Sequence, residues 1–229
     1  AGVVGLVVGP TSTTYAPIMA SAVVRKVSLT GSTRVGQQML RDAADTVKKT
    51  SMELGGNAPL IVYSDADLEL ALNVSVPTKF ANAGQVCVTA DRFFIHESLH
   101  DAFVKGFVER ARALKLGDGM DAASQMGPLI NGGRIDEMES IVESAVAAGA
   151  KVATGGRRSP AHARGFYFEP TVLVGVSATS SCRPPISLPP DPVPSEYIDP
   201  ATTLSMVCSA FMMREATRSE EHTSELQSR

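Results

Sequence analysis

Lys26-Val27-Ser28-Leu29-Thr30-Gly31-Ser32-Thr33-Arg34-Val35-Gly36 is the stretch that decides the fold class. Lys26 to Thr30 reads as a strand, and it runs straight into Gly31. Beyond the turn, Val35, Met39, Leu40, Ala43 and Ala44 fall at helical spacing, with Ser32 or Thr33 placed as the cap. Strand, glycine-led turn and helix recur in β-α order along the chain, which argues for an α/β fold on a parallel sheet. The turn itself has the form Gly-x-x-x-x-Gly. Unpaired amides and the helix dipole at such a turn would hold an anion such as a pyrophosphate. The pattern is neither the Gly-x-Gly-x-x-Gly fingerprint nor a P-loop, and alone it equally fits a plain strand-to-helix turn.

Working outward, Val3 to Val8 reads as a buried strand ended by Gly9-Pro10, and Ala16 to Ala22 as a short helix. Downstream, Val47 to Leu54 is extended and Leu60-Ile61-Val62-Tyr63 is a buried strand. Ser64 or Asp65 would cap a helix carrying Leu68, Ala71, Leu72 and Val76, which Pro77 should kink or break. Arg92 to His96 is a strand. Ser98 would cap a helix with Phe103, Val104, Phe107, Val108, Ala111 and Leu114 on one face, stopped by Gly117 and Gly119. Asn131 starts another, with Ile135, Met138, Ile141, Val142, Ala145 and Val146 inward and Gly149 at its C-terminal cap. Lys151 to Thr154 and Phe166 to Val174 are strands.

Composition sets bounds on function. The 229 residues are 44% apolar and 20% charged, as expected of a globular protein of one large domain or parts of two. A formal net charge of −3 offers no basic footprint for nucleic acid. The apolar opening is too short to span a bilayer and has no charged leader before it. Three cysteines, Cys87, Cys182 and Cys208, form no disulfide framework, so a reducing compartment is the simpler reading. The chain opens inside an apparent strand with no initiator Met, which reads as a fragment. His96, His100 and His162 lack metal-ligand spacing, so no metal is expected.

Two short runs carry the chemistry. Glu53-Leu54-Gly55-Gly56-Asn57 offers a carboxylate on a glycine-braced turn. Gly84-Gln85-Val86-Cys87 offers a thiol in a second glycine-led loop. A thiol that attacks a carbonyl and a carboxylate that activates water make a coherent pair. Cys87, with an ordinary pKa of about 8.5, would need help to ionise, such as backbone donors at a loop-to-helix turn. An apolar surround would raise Glu53 to a useful pKa. The plain alternatives are a buried structural cysteine and a solvated glutamate at a strand end. Gly55 and Gly56 admit positive φ and close approach of backbone to substrate. Asn82 and Gln85 read as fixing the loop backbone, and Arg92 and Lys79 as surface ion-pair partners or contacts for an anionic substrate.

These two runs, with Leu29 to Gly36 upstream, resemble the signature and cofactor motifs of the aldehyde dehydrogenase superfamily, in the family's order and spacing. The resemblance runs from about Ala1 to about Val174. Lys79-Phe80-Ala81-Asn82-Ala83-Gly84-Gln85 is most similar to the succinate-semialdehyde dehydrogenase branch. It implies a partial aldehyde dehydrogenase fold, with residues 1–53 the C-terminal part of a Rossmann-like NAD(P)-binding domain and 54–176 the first part of the α/β catalytic domain. It implies Cys87 as nucleophile, Glu53 as the base, and NAD or NADP contacts at Gly31, Ser32, Gly36, Leu54 and Gly55. Branches of the family that pass the acyl group to coenzyme A lack the glutamate, so Glu53 favours release of a free acid. A small aldehyde substrate, a homo-oligomer and a cytoplasmic or mitochondrial-matrix location follow from the same resemblance, with no membrane or nucleic-acid partner.

The chain departs from the family in places. Ala81 stands where the succinate-semialdehyde branch carries an arginine for the substrate carboxylate, and a methyl group cannot replace bidentate recognition. Thr89 stands where some members carry a second, redox-active cysteine. The oxyanion-hole asparagine, the lysine for the adenine ribose and the Glu-x-Phe-Gly-Pro segment are expected in such a protein and are not found. Residues 177–229, with Arg183-Pro184-Pro185 and Pro189 to Pro194, read as a disordered, non-native tail: a lost reading frame ending in what resembles a translated sequencing adapter. Two rival readings are a thiol peroxidase or acyltransferase using Cys87, and an inactive remnant that binds nucleotide weakly.

Overall fold

The computed structural model describes residues 2–56, 58–176 and 203–204. They form two compact units, 2–55 and the residues from Gly56 onward.

The first unit is built on one parallel strand pair, β1 (Lys26–Gly31) and β2 (Lys49–Leu54), joined through helix α2 (Thr33–Ala44). The register runs from Lys26 opposite Lys49 to Gly31 opposite Leu54. The helix starts where the sequence reading places it, because Ser32 is extended and its side chain accepts a hydrogen bond from the Val35 amide. Period-two alternation turns Thr50, Met52 and Leu54 inward and Lys49, Ser51 and Glu53 to solvent. A small core of Met19, Val27, Met39 and Ala43 results. Val35 and Leu40, two of the apolar positions at helical spacing, are 40% and 44% exposed. Lys48 is buried, with its ammonium donating to the Ser21 and Val24 carbonyls at 2.6 and 2.8 Å. The Tyr15 hydroxyl donates to Asp42 at 2.6 Å. Burial, then that bond, pushes the phenol from its ordinary value of 10.0 up to about 12.

Two expectations for this unit fail. Val3 to Val8 is not a strand, and its valines and Leu6 are exposed. Among the described residues it has no partner strand, and an apolar run without a hydrogen-bonding neighbour gains nothing from extension. The first helix, α1, spans Thr11–Ala20 rather than Ala16 to Ala22. Pro10 ends no strand; it precedes the helix, where the Thr13 and Thr14 amides donate to its carbonyl.

The second unit repeats the theme. Strand β3 (Ala58–Val62) pairs in parallel with β4 (Ala90–Ile95) across helix α3 (Leu68–Phe80). Asp67, not Ser64 or Asp65, caps α3 through a bond from the Leu70 amide. The helix runs through Pro77 and ends at Phe80. A proline this close to the end removes one donor, and the packing of Leu72, Val76 and Phe80 outweighs that loss. Only one face of β3 is covered: Val62 is buried whereas Ile61 and Tyr63 lie open.

Helices α4 (Glu97–Ala113) and α5 (Gly132–Ala147) complete the core around Phe80, Phe93, Phe103 and Phe107, whose rings meet at centroid separations of 5.5–6.4 Å. His96 rather than Ser98 caps α4, its ring accepting from the Ser98 amide. Asn131 caps α5 as expected, and Gly149 takes a left-handed φ of 98° just past its end. Val146 is half exposed. The last expected strand shrinks to β6 (Val172–Val174), antiparallel to β5 (Lys151–Thr154). Within the expected tail, β7 (Thr203–Leu204) pairs antiparallel with β4; the remainder of 177–229 lies outside the described residues.

Candidate active site

Parallel pairing explains why one turn and one loop of the second unit meet. Ala58 opens β3 opposite Ala90, the first residue of β4. The residues just before each strand therefore lie side by side, and these are Gly56 and the Cys87 loop. A Cβ built on Gly56 would sit 3.4 Å from the Cys87 carbonyl oxygen. Gly56 does not use a positive φ, and an added Cβ would meet that oxygen at ordinary van der Waals distance.

The loop bearing Cys87 is a braced turn. Asn82, Ala83 and Gly84 take successive φ values of 49°, 55° and 76°. For alanine the left-handed region is costly, of order 1 kcal/mol, so the surroundings must hold it there. Ala83 is fully buried, the Asn82 amide donates to the Gln85 carbonyl at 3.0 Å, and the Gln85 amide group returns a 3.0 Å bond to the Asn82 carbonyl. Gln85 also accepts from the Ile130 amide at 3.0 Å, tying the loop to the segment before α5. The expected role of Asn82 and Gln85 in fixing the backbone matches these bonds. Cys87 itself is exposed on the turn from Val86 to Thr89, which leads into β4 and not into a helix. The expected loop-to-helix donors are therefore absent, because the chain enters a strand.

The base of the loop holds what sequence reasoning missed. Lys79, at the end of α3, is 2% exposed, and its ammonium pairs with Asp91 of β4 (10% exposed) at 2.8 Å. It is neither a surface ion pair nor open to a substrate. The Thr89 hydroxyl, buried as well, donates to the Thr78 carbonyl at 3.1 Å. No spacing rule connects residues twelve apart across a helix end and a strand start, so only the fold reveals them.

In the first unit, Gly31 ends β1, Ser32 caps α2 and Gly36 lies one turn in. A Cβ on Gly36 would fall 2.7 Å from a Leu54 methyl, so Gly36 exists to let α2 lie against β2. The arrangement suits an anionic cofactor: a helix N-terminus follows directly on a parallel strand. The Ser32 oxygen that accepts from Val35 can still donate its own proton. Glu53 ends the outward row of β2, opposite Thr30, and is exposed, so the expected apolar surround is not present among the described residues. The structure brings together Gly36 with Leu54 and Gly56 with Cys87, while Glu53 and Cys87 belong to different units. His96, His100 and His162 serve locally: His96 caps α4, His100 pairs with Asp101 at 2.9 Å, and His162 bonds Ser159 and stacks on Tyr167.

Fold and site thus define an α/β protein with an anion-type turn at one strand end and an exposed cysteine on a braced loop at another. Residues 1–183 match the model of the aldehyde dehydrogenase family, and the chain belongs to that family. It is 46% identical over 156 residues to a probable NADP(+) succinate-semialdehyde dehydrogenase of Sinorhizobium fredii, an alignment covering 68% of this chain and 31% of that protein. Among solved structures, the succinate-semialdehyde dehydrogenase of Burkholderia pseudomallei is 41% identical with a TM-score of 0.73, covering 77% of this chain and 36% of that one. An NAD+ complex of an aldehyde dehydrogenase from Bacillus cereus is 33% identical with a TM-score of 0.71, covering 76% and 35%. The chain spans about a third of the length of these relatives. Among the described residues, no helix is long and apolar enough to cross a membrane.

Proposed function

We propose that the chain carries the nucleophile, the hydrolytic base and part of the dinucleotide site of an NAD(P)-dependent aldehyde dehydrogenase, releasing a free carboxylic acid. The observation that carries the proposal is the exposed Cys87 held on a doubly braced turn beside Gly56, itself three residues from Glu53.

The Cys87 thiol gives its proton to water, the thiolate adds to the aldehyde carbonyl to give a thiohemiacetal oxyanion, and the Cys87 amide helps to hold that oxyanion. A bound nicotinamide supplies the acceptor for the hydride that leaves the carbon, and the sulfur then carries an acyl group as a thioester. Glu53 takes a proton from water, the hydroxide adds to the acyl carbon, and the thiolate leaves with the acid released. Ser32 and the first amides of α2 would hold the cofactor's pyrophosphate. Gly31 and Gly36 keep that surface close to the backbone, and Leu54 and Gly55 lead from it toward Glu53. The relatives' names support NAD or NADP and a semialdehyde of the succinate type, while Ala81 favours an aldehyde without a carboxylate at that position. The whole protein would act as a homo-oligomer in an aqueous, reducing compartment.

Acylation tests the reading without cofactor. p-Nitrophenyl acetate should transfer its acetyl group to Cys87, giving a thioester and releasing p-nitrophenolate, faster in the folded chain than in the chain unfolded by denaturant. Peptide mass spectrometry separates Cys87 from Cys182 and Cys208. Equal rates in the two states would refute the assignment, and a sulfenate formed with peroxide in place of any acyl adduct would favour the peroxidase.

A further inference from the structure

The mechanism uses Cys87 but leaves unexplained the two buried polar contacts beneath it. Lys79 and Asp91 flank the loop in sequence, Lys79 in the last turn of α3 and Asp91 as the second residue of β4. Their ion pair is nearly closed to solvent, with exposures of 2% and 10% and a separation of 2.8 Å. One step in from it, the buried Thr89 hydroxyl reaches the Thr78 carbonyl at 3.1 Å. The two contacts join the outgoing helix, at Thr78 and Lys79, to the incoming chain at Thr89 and Asp91. Everything between them is the loop whose exposed tip is Cys87.

A buried ion pair is a poor means of adding stability, because the cost of desolvating two charges cancels most of their attraction, and apolar pairs of similar volume often serve as well. A charge-assisted hydrogen bond does supply direction and length, which an apolar contact does not. The loop above needs both. Ala83 must stay left-handed, and the Cys87 carbonyl must stay beside Gly56, where an added Cβ would lie 3.4 Å from its oxygen. Sliding of β4 against α3 by a fraction of an ångström would be carried directly to residue 87.

We propose that Lys79 and Asp91 are positioning residues: their buried ion pair, with the Thr89–Thr78 bond, sets the height and direction in which the loop presents the Cys87 sulfur. The inference rests on Cys87 being the nucleophile. Both side chains are nearly closed to solvent and act through the loop.

The test uses the full 229-residue chain and the acetyl-transfer rate at Cys87, measured with thermal melting and with hydrogen exchange of amides 82–88. In Lys79→Met/Asp91→Leu the apolar pair should keep the melting temperature near that of the parent. Acetyl transfer should slow by about tenfold to a hundredfold, the scale of an ångström-size misplacement, and the loop amides should exchange faster. Asp91→Asn keeps the shape and weakens the charge, so it covers the case in which the double variant does not fold, and it should give a smaller slowing in the same direction. A parent chain that transfers faster than the unfolded chain, with the folded variants matching it in rate and exchange, would overturn the positioning role and leave the nucleophile assignment standing. A parent chain no faster than the unfolded one would instead remove the nucleophile assignment, and this inference with it.

Discussion

The two units use the same strand–helix–strand element, and the proposed function uses opposite ends of it. In the first, the working end is where β1 gives way to α2: Gly31, Ser32 and the first amides of the helix. That end presents donors and a positive dipole, and it suits an anion. In the second, the working end is where α3 gives way to β4, at a helix C-terminus. That end offers carbonyls, so nothing there attracts a phosphate. The loop instead gets its order from side chains: Asn82, Gln85, Thr89 and the Lys79–Asp91 pair. A helix N-terminus binds with groups the backbone already has, whereas a nucleophile at the other end must be built from specific side chains. The chain joins the two where β2, ending at Leu54, passes through Gly55 and Gly56 into β3.

Several changes would break or sharpen this contrast. The largest effect is expected at Glu53, the proposed hydrolytic base. Glu53→Gln should leave acetyl transfer to Cys87 intact and prolong the life of the acetyl adduct by on the order of a hundredfold, followed by mass spectrometry. An adduct that is lost equally fast would remove the glutamate from the hydrolytic step.

Next comes the close contact in the first unit. Gly36→Val puts a branched side chain where even a Cβ falls 2.7 Å from Leu54, so the unit should lose about 1–3 kcal/mol, read by denaturant melting. Gly36→Ala should cost much less, because a better helix former returns up to about 1 kcal/mol and the Leu54 methyls can swing aside. A smaller effect is expected from Ser32→Ala. Loss of the cap should cost about 1 kcal/mol, and titration with NAD or NADP should show weaker binding, while acetyl transfer at Cys87 in the other unit stays unchanged.

The smallest concerns Tyr15. Its phenol is raised to about 12, so the folded state favours the neutral form. That contribution is complete below pH 10 and is lost as pH rises through 12. The stability difference between the parent and Tyr15→Phe should therefore shrink across this window, as measured by chemical denaturation. A constant difference would mean that the Asp42 contact does not hold the proton.

Legibility in the sequence followed the range of the forces involved. The β1–α2 turn was readable because its signals are local: an extended run, a glycine, a capping serine and helical spacing. Asn131 and Gly149 mark α5 for the same reason. Val3 to Val8 misled, because an apolar run states only that burial is favourable and not that a neighbour is there to pair with it. Pro77 does not break the helix, one of the two outcomes expected of it, since tertiary packing carried the helix on to Phe80. Cys87 was singled out from the residues beside it. The Lys79–Asp91 pair was not found, because each residue alone looks like surface and their meeting is a property of the fold. The left-handed Ala83 was equally hidden, since nothing in an alanine announces that its neighbours will hold it in strain.

The central claim is that Glu53 and Cys87 serve one acyl group, and proximity between them tests it most directly. In a chain with Cys182 and Cys208 replaced by serine and carrying Glu53→Cys, a short reagent such as dibromobimane fluoresces only after bridging two nearby thiols. The account predicts a fluorescent bridge between the peptides that contain positions 53 and 87, lost on denaturation before labelling. Separate single adducts on the two peptides in the folded chain would contradict it.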